Sequence, residues 1–341
     1  MRAPDFWMHG KGLAPRLLAP IGAIYAGATA RRVARPNWRA PVPVICCGAA
    51  SVGGDGKTPV ALDVGRRLAA RGVAIHYLTR GYGGSEIGPV LVDPARHDSR
   101  TVGDEALLLA TVAPTWVARS RAEGAKRGVE QGAQAFVMDD GLQHPTLGKD
   151  LTLLIVSGAT GFGNGRVIPA GPLREPVEAA LARVDAAVVI GRDGSGAAAT
   201  IEAASERRIP ILRARNVPGP ETAALRNRRV FAWAGIAWPQ KFFDTLTEAG
   251  AILSGREVFA DHYPYDEAEI EALLEQAARL DSQPVTTMKD TMRIPPKYRS
   301  RIASVSVRIA WDDEAQIEAL LDATMARAGV AAAEVEALAA S

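Results

Sequence analysis

The chain has 341 residues, of which 48% are hydrophobic and 23% charged, a globular balance that excludes wholesale disorder. Forty basic against 38 acidic residues leave a formal charge of +2, which excludes a uniformly basic nucleic-acid binder. The charge is uneven, because residues 1–40 carry seven Lys and Arg and one acid, a net of +6, so the other 301 residues net −4.

The first segment is basic and apolar. Its longest uncharged run, residues 17–30, has fourteen residues. A spanning helix needs about 20 apolar residues. Arg31, Arg32 and Arg35 follow the run, whereas a signal peptide places its charges first. Two readings stay open. Trp7, Leu17, Leu18, Ile21, Ile24 and Tyr25 enter a membrane interface while the arginines meet anionic lipid. Alternatively, the segment is a helix packed on its own domain.

Residues 44–47 form a short apolar run that reads as a buried strand. Cys46 and Cys47 are neighbours on it and should face opposite sides, which excludes an ordinary disulfide and suits a reducing cytoplasm. A helix over 57–71 follows, then a strand over 73–79. Helices over 104–112 and 120–131 alternate with strands at 115–117, 135–138, 151–156 and 186–190. Such alternation implies a parallel sheet covered on both faces. Val217-Pro218-Gly219-Pro220 breaks the pattern and marks a domain boundary. Beyond it come strands at 230–234, 252–258 and 284–287 and helices at 240–249 and 266–280. Residues 304–311 read as one strand, 313–326 as an amphipathic helix and 328–341 as a frayed helix.

Ser51-Val52-Gly53-Gly54-Asp55-Gly56-Lys57-Thr58 lies between a strand and a helix. It matches G-x-x-x-x-G-K-[ST] except at Ser51. Glycines let backbone N–H groups curl around phosphate oxygens, and the helix N-terminus attracts anions. Lys57 supplies a point charge to the β- and γ-phosphates, and the Thr58 hydroxyl ligates Mg²⁺. Asp55 sets a negative charge beside that site. The strand at 135–138 runs into Asp139-Asp140, one of which holds Mg²⁺, with Asp139 the first choice.

These motifs, with Thr-Arg-Gly-Tyr-Gly-Gly at 79–84, Val-Gly-Asp-Glu at 102–105, Asp-Asp-Gly-Leu-Gln-His at 139–144 and Phe-Gly-Asn-Gly…Pro-Ala-Gly-Pro-Leu-Arg-Glu at 162–175, resemble one family. Pro-Gln-Lys-Phe-Phe-Asp at 239–244, Phe-Ala-Asp-His-Tyr at 259–263 and Thr-Met-Lys-Asp at 287–290 extend the match. Together they look like tetraacyldisaccharide 4'-kinase, the lipid A 4'-kinase. That family usually has Thr at position 55, Asn at 49 and Glu at 288.

The resemblance implies an α/β fold: a P-loop NTPase-type parallel sheet domain and a smaller α/β domain joined by a two-stranded linker. Its expected divisions are a membrane-associating segment (1–40), the P-loop domain (41–215), the smaller domain (216–310) and a C-terminal helix and tail (311–341). Strands 211–215 and 304–311 are the expected link. The implied activity is ATP-dependent phosphorylation of the 4'-hydroxyl of tetraacyldisaccharide 1-phosphate, with ATP and Mg²⁺, at the cytoplasmic face of the inner membrane, as a peripheral protein. Asp104 with His262 would serve as base, although Asp104 alone reads as a helix cap. Glu105 would join Thr58 and Asp139 at the metal. Arg80, Tyr82, Asn164 and Arg174 would meet the substrate, with Arg174 suited to its 1-phosphate. Competing readings are a P-loop kinase or ligase acting on a soluble metabolite, and a nucleotide switch without an acceptor.

Overall fold

The computed structural model describes residues 4–10, 12–35, 37–54, 56–327 and 329; Asp55 and the expected helix over 328–341 lie outside the described residues, residue 329 excepted. Helices α1 (Phe6–His9) and α2 (Ala14–Val33) open the chain. The large domain then runs β1 (Val44–Gly48), α3 (Lys57–Ala70), β2 (Ile75–Thr79), β3 (Val90–Leu91), α4 (Ser99–Val102), α5 (Asp104–Ala110) and β4 (Thr115–Val117). It continues through α6 (Arg121–Glu130), β5 (Ala135–Asp139), β6 (Leu151–Ser157), α7 (Val177–Leu181), β7 (Ala186–Ile190), α8 (Ala197–Ala204) and β8 (Ile211–Pro218). A 3₁₀ turn (Pro220–Leu225) leads to β9 (Arg229–Ala234), α9 (Pro239–Glu248), β10 (Ile252–Val258), α10 (Glu267–Arg279) and β11 (Gln283–Thr287). The last described elements are α11 (Met288–Thr291), α12 (Pro296–Arg299), β12 (Ala303–Val305), β13 (Val307–Trp311) and α13 (Glu314–Arg327).

Nine strands form the large sheet in the order β13-β8-β7-β6-β1-β5-β2-β4-β3. The seven inner strands are parallel, and both edge strands run antiparallel to their neighbours. Near-continuous apolar strands fit a sheet buried on both faces. Ile45, Cys47 and Val137 pack with Val60, Val64 and Leu68 of α3 and with Ile317 and Leu321 of α13. On the opposite face Val44, Cys46, Phe136 and Met138 meet Ala125 of α6. The two cysteines are free, buried and on opposite faces.

The smaller sheet, β10-β9-β11-β12, is wholly parallel. Val230, Ala232 and Ala234 face Phe242, Phe243 and Leu246 of α9, while Phe231 and Trp233 face Ile270, Leu273 and Leu274 of α10.

The expected single strand over 304–311 is two strands in two sheets. β12 completes the small sheet and β13 returns to the large one. Ser306 makes the break: its N–H donates to Glu221 and its carbonyl accepts from the Gly219 N–H at 2.9 Å. β8 contacts β7 only through Ile211 to Ala214, whereas residues 214–218 pair with β13. Beyond Ala214 the pair is therefore a two-stranded ribbon between the sheets. A second contact is an apolar seam in which Met292 and Met288 pack on Val102, Ala106 and Leu107.

Among the described residues, no helix is long and apolar enough to cross a membrane. α2 turns Pro15, Gly22 and Thr29 inward and leaves Leu17, Ile21, Ile24 and Tyr25 exposed, as is Leu13 just before it. Gly22 permits the close approach, because a Cβ there would lie 2.8 Å from the Val167 carbonyl oxygen. Two of the expected interface residues are placed otherwise. The Trp7 indole donates to the Pro169 carbonyl at 3.0 Å, and Leu18 is half-buried on the inner side of α2.

Candidate functional site

β1 delivers the chain to the phosphate loop at the centre of the sheet, where β5 runs beside it in the pairing Cys47↔Asp139. Lys57 and Thr58 form the first turn of α3. The Thr58 hydroxyl donates to Asp139 Oδ2 at 2.9 Å, so Asp139 is the acid of the pair that faces the loop. Lys57 Nζ donates to the Gly53 carbonyl at 3.0 Å and so folds across the loop.

Among the described residues, Asp139 Oδ1 is buried without a hydrogen-bond partner. Burial pushes its carboxyl up, and the charges of Glu105 and Asp140 add to this against the Thr58 hydrogen bond and Lys57. A divalent cation at this oxygen would meet both conditions. Among the described residues no three His, Cys, Asp or Glu side chains gather as a metal site. A cation here would rest on few protein oxygens, which suits Mg²⁺ with its retained waters and substrate phosphates.

Asp140 adopts φ +53°, an uncommon conformation for a residue with a Cβ, and its carboxylate turns to Arg174. Arg174 Nη1 lies 2.8 and 2.9 Å from the two Asp140 oxygens. Burial would raise the Asp140 carboxyl, but Lys57, Arg174 and Arg121 hold it below the usual range. The Arg174 guanidinium, expected at a substrate phosphate, is thus engaged inside the protein. Its backbone N–H donates to the Ala50 carbonyl, and the Val52 N–H donates to the Pro172 carbonyl, bracing the phosphate loop. Gln143 bonds both the Ala49 carbonyl and Glu175, and Glu175 in turn accepts from Arg183.

Asn164 lies beside the N-terminal helices. Its amide donates to the Phe6 and Ala170 carbonyls at 3.0 and 2.9 Å, tying α1 to the 162–170 loop. It borders a cavity of about 780 Å³ shared with Met8, Phe162 and Val177. Arg80 and Tyr82 line another cavity of about 240 Å³ with Glu86 and Arg119.

Asp104 is not a helix cap. Gly103 holds the cap position at φ +85°, and Asp104 is the first residue of α5. A Cβ at Gly103 would fall 2.5 Å from the Tyr82 carbonyl oxygen, so glycine is needed for the 80–84 loop to lie against this turn. Asp104 is 3% exposed, accepts two hydrogen bonds and makes one further ion pair. The Glu105 N–H bonds Oδ1 at 2.9 Å, while His262 Nδ1 at 2.9 Å and Arg293 Nε at 3.2 Å approach Oδ2. Burial would raise its carboxyl, but the His262 hydrogen bond and the charges of Lys289, His262 and Arg293 prevail and hold it down. His262 comes from the small domain, also at positive φ, +58°. The Tyr82 ring packs edge-on against it at 5.7 Å.

Glu105, expected at the metal, pairs with Lys289 at 3.2 Å. Its charge reaches Asp139, which sets the start of α5 beside the phosphate loop. Asp104, Glu105, Lys289 and His262 thus meet where the two domains touch, and Asp139 at the phosphate loop lies within reach of the Glu105 charge.

A model of the tetraacyldisaccharide-1-P 4'-kinase family matches residues 14–326. The chain belongs to this kinase family. A tetraacyldisaccharide 4'-kinase of Rhodospirillum rubrum is 53% identical over 323 residues, covering 94% of this chain and 97% of that protein. One from Paramagnetospirillum magneticum is 51% identical over 96% of this chain and its own full length. The fold is that of the crystal structure of LpxK from Aquifex aeolicus in complex with ATP, at a TM-score of 0.72 and 23% identity, over 91% of this chain and 99% of that one.

Beyond the residues expected from the sequence, Lys289 and Arg293 of the small domain meet Glu105 and Asp104 of the large one, and Asp290 is buried behind them against Arg293. Arg121 is buried beside the acid pair, and burial lowers its guanidinium to about 10 despite Asp140 nearby. The spacing Lys289-Asp290-x-x-Arg293 at the end of a strand was the available signal for the first three.

Proposed function

We propose that the cleft transfers the γ-phosphoryl of ATP to the 4'-hydroxyl of tetraacyldisaccharide 1-phosphate, the reaction for which the family is named. The observation that carries the reading is the Asp104–His262 contact of 2.9 Å, made across the two domains beside the phosphate loop. The loop N–H groups and Lys57 bind the phosphates, with Nζ leaving the Gly53 carbonyl for a phosphate oxygen. Thr58 and Asp139, with Glu105 nearby, would hold Mg²⁺, whose charge neutralises the β- and γ-oxygens.

Asp104 receives and orients the sugar hydroxyl. A carboxylate kept ionised is an acceptor across the working pH range, which suits a loose transition state needing positioning more than strong basicity. The sugar oxygen bonds to phosphorus as the bond to the β-phosphate oxygen breaks. ADP leaves, and the hydroxyl proton passes to Asp104. Arg80 and Tyr82, beside His262, suit the sugar or its anionic group. Bending at the β8–β13 ribbon closes the cleft and excludes water.

The acceptor's acyl chains require the cleft to work at a lipid surface. The exposed apolar residues of α2, with Arg31 and Arg32 in its last turn, support peripheral attachment at the cytoplasmic face of the inner membrane, where ATP is available. The test is incubation with ATP, Mg²⁺ and tetraacyldisaccharide 1-phosphate, with the lipid mass read directly. A product one phosphate heavier is expected. ATP turnover with unchanged lipid would count against the reading.

A further inference from the structure

The small domain gives the cleft more than His262. The segment after β11 carries three charged side chains: Lys289 and Arg293 reach the large domain, and Asp290 is buried behind them. Asp290, fully buried, accepts from the Gly235 N–H and from the Tyr265 and Thr287 hydroxyls. It lies 3.1 Å from Arg293 Nη2, and Arg293 also donates to the Gly235 carbonyl at 3.0 Å. This fixed lattice anchors α11. Lys289, on the same turn, reaches both sides of the cleft: its Nζ is 3.2 Å from Glu105 Oε1 and 3.3 Å from His262 Nε2.

The direction of these bonds is constrained. An ammonium has only protons to give, and an ionised carboxylate has only lone pairs. Lys289 therefore donates to Nε2, which must present its lone pair. Asp104 accepts, so Nδ1 must carry the proton. The two neighbours thus select one tautomer and one ring orientation from opposite sides of the imidazole.

We propose that Lys289 is a positioning residue of the kinase: it locks His262 as the Nδ1–H tautomer aimed at Asp104 and couples the ring to α5 through Glu105. The inference rests on the role given above to Asp104 and His262, but its first test needs no substrate. The protein is labelled with ¹⁵N-histidine, and His262 is assigned among the five histidines by loss of its signals in His262→Gln. Wild type should show a pyrrole-type Nδ1 and a pyridine-type Nε2. Lys289→Met should lose that pair of shifts. Its kcat with the lipid acceptor should fall roughly ten- to a hundredfold, the range for loss of a supporting hydrogen bond, with KM for ATP within about twofold. Lys289→Arg, which keeps charge and donors, should recover the ring shifts and part of kcat.

Native ring shifts in Lys289→Met, or a loss confined to KM for ATP, would overturn the proposal. If Lys289→Met does not fold, Lys289→Arg decides: native ring shifts with partial kcat support it, and full kcat with altered shifts overturns it. If instead no lipid is phosphorylated by wild type while the ring shifts respond as described, the proposed reaction fails and the tautomer assignment stands.

Discussion

Asp104 has three partners on two oxygens, two hydrogen-bond donors and one ion pair, each of a different origin: its own helix, the small-domain histidine and a buried arginine. Removing its charge while keeping its shape should therefore affect the reacting geometry more than nucleotide binding. Asp104→Asn is expected to lower kcat by about 10²–10⁴ with KM for ATP nearly unchanged, as read from steady-state kinetics. A change confined to KM would reassign the residue to the metal or to the domain contact. His144 gives a prediction about pH. Burial, with Arg121 close by, lowers its imidazole from 6.5 to about 4, and the Arg119 carbonyl at 2.8 Å only partly opposes this. The folded value lies below the unfolded one, so the stabilisation is complete above about pH 6.5 and declines as pH falls toward 4. His144→Gln should melt with a shallower pH dependence between about pH 7 and pH 5. Parallel losses in the two proteins would remove His144 as the source. At this scale the phosphate loop was legible because its chemistry is local in sequence. The Arg174–Asp140 pair was not legible, because a guanidinium suits a carboxylate as well as a phosphate and only three-dimensional proximity shows the carboxylate beside it. Lys289 and Arg293 were missed because their partners Glu105 and Asp104 lie more than 180 residues away in the chain.

Helix α2 has two faces with different duties. Gly22 and Pro15 press it against the body, while Leu17 and Ile24, each 74% exposed, face outward with Leu13 and Ile21. This exposed apolar row is the face on which the proposed membrane attachment rests. Each such side chain withdrawn from water contributes about 1.5–3 kcal/mol. Ile21→Glu with Ile24→Glu should then weaken cosedimentation with anionic vesicles by at least about tenfold. The melting temperature should stay within a few degrees, because neither side chain supports the core. Unchanged vesicle binding would remove the helix as the attachment element. The sequence displayed this stripe, since an uncharged run beside arginines is a local signal, but not its inner side, where Leu18 and the Trp7 indole are engaged. The same limit explains the misread strand at 304–311. Residues on both sides of Ser306 stay extended, so the pattern continues while the chain changes sheets; the break depends on Glu221 and Gly219, which are distant in sequence.

At the scale of the molecule, both ends of the ribbon must be anchored if bending there is to close the cleft. β13 and the helix that follows it, α13, are held to the phosphate-loop helix α3 by two sets of contacts whose strengths differ. The visible set is ionic: Arg67 meets Asp63, Glu314 and Glu318, and Arg71 meets Glu318 and Asp322. Asp322 is 69% exposed and Glu318 36%, so solvent screening limits the Arg71 pairs to about 1 kcal/mol or less. The less visible set is apolar: Trp311, Ile317, Leu321 and Met325 share a core with Val60, Val64 and Leu68. Leu321 is fully buried, and truncating such a side chain costs about 2–5 kcal/mol. Arg71→Ala should therefore lower the melting temperature only slightly, whereas Leu321→Ala should lower it several-fold more. The Leu321→Ala protein should also lose kinase activity on warming before the small domain unfolds, because the hinge strand is released from α3 first. Near-ultraviolet circular dichroism and activity recorded over one temperature ramp would check both points. A larger loss in Arg71→Ala than in Leu321→Ala would mean that the charge network, and not the apolar seam, secures the C-terminal helix beneath the phosphate loop.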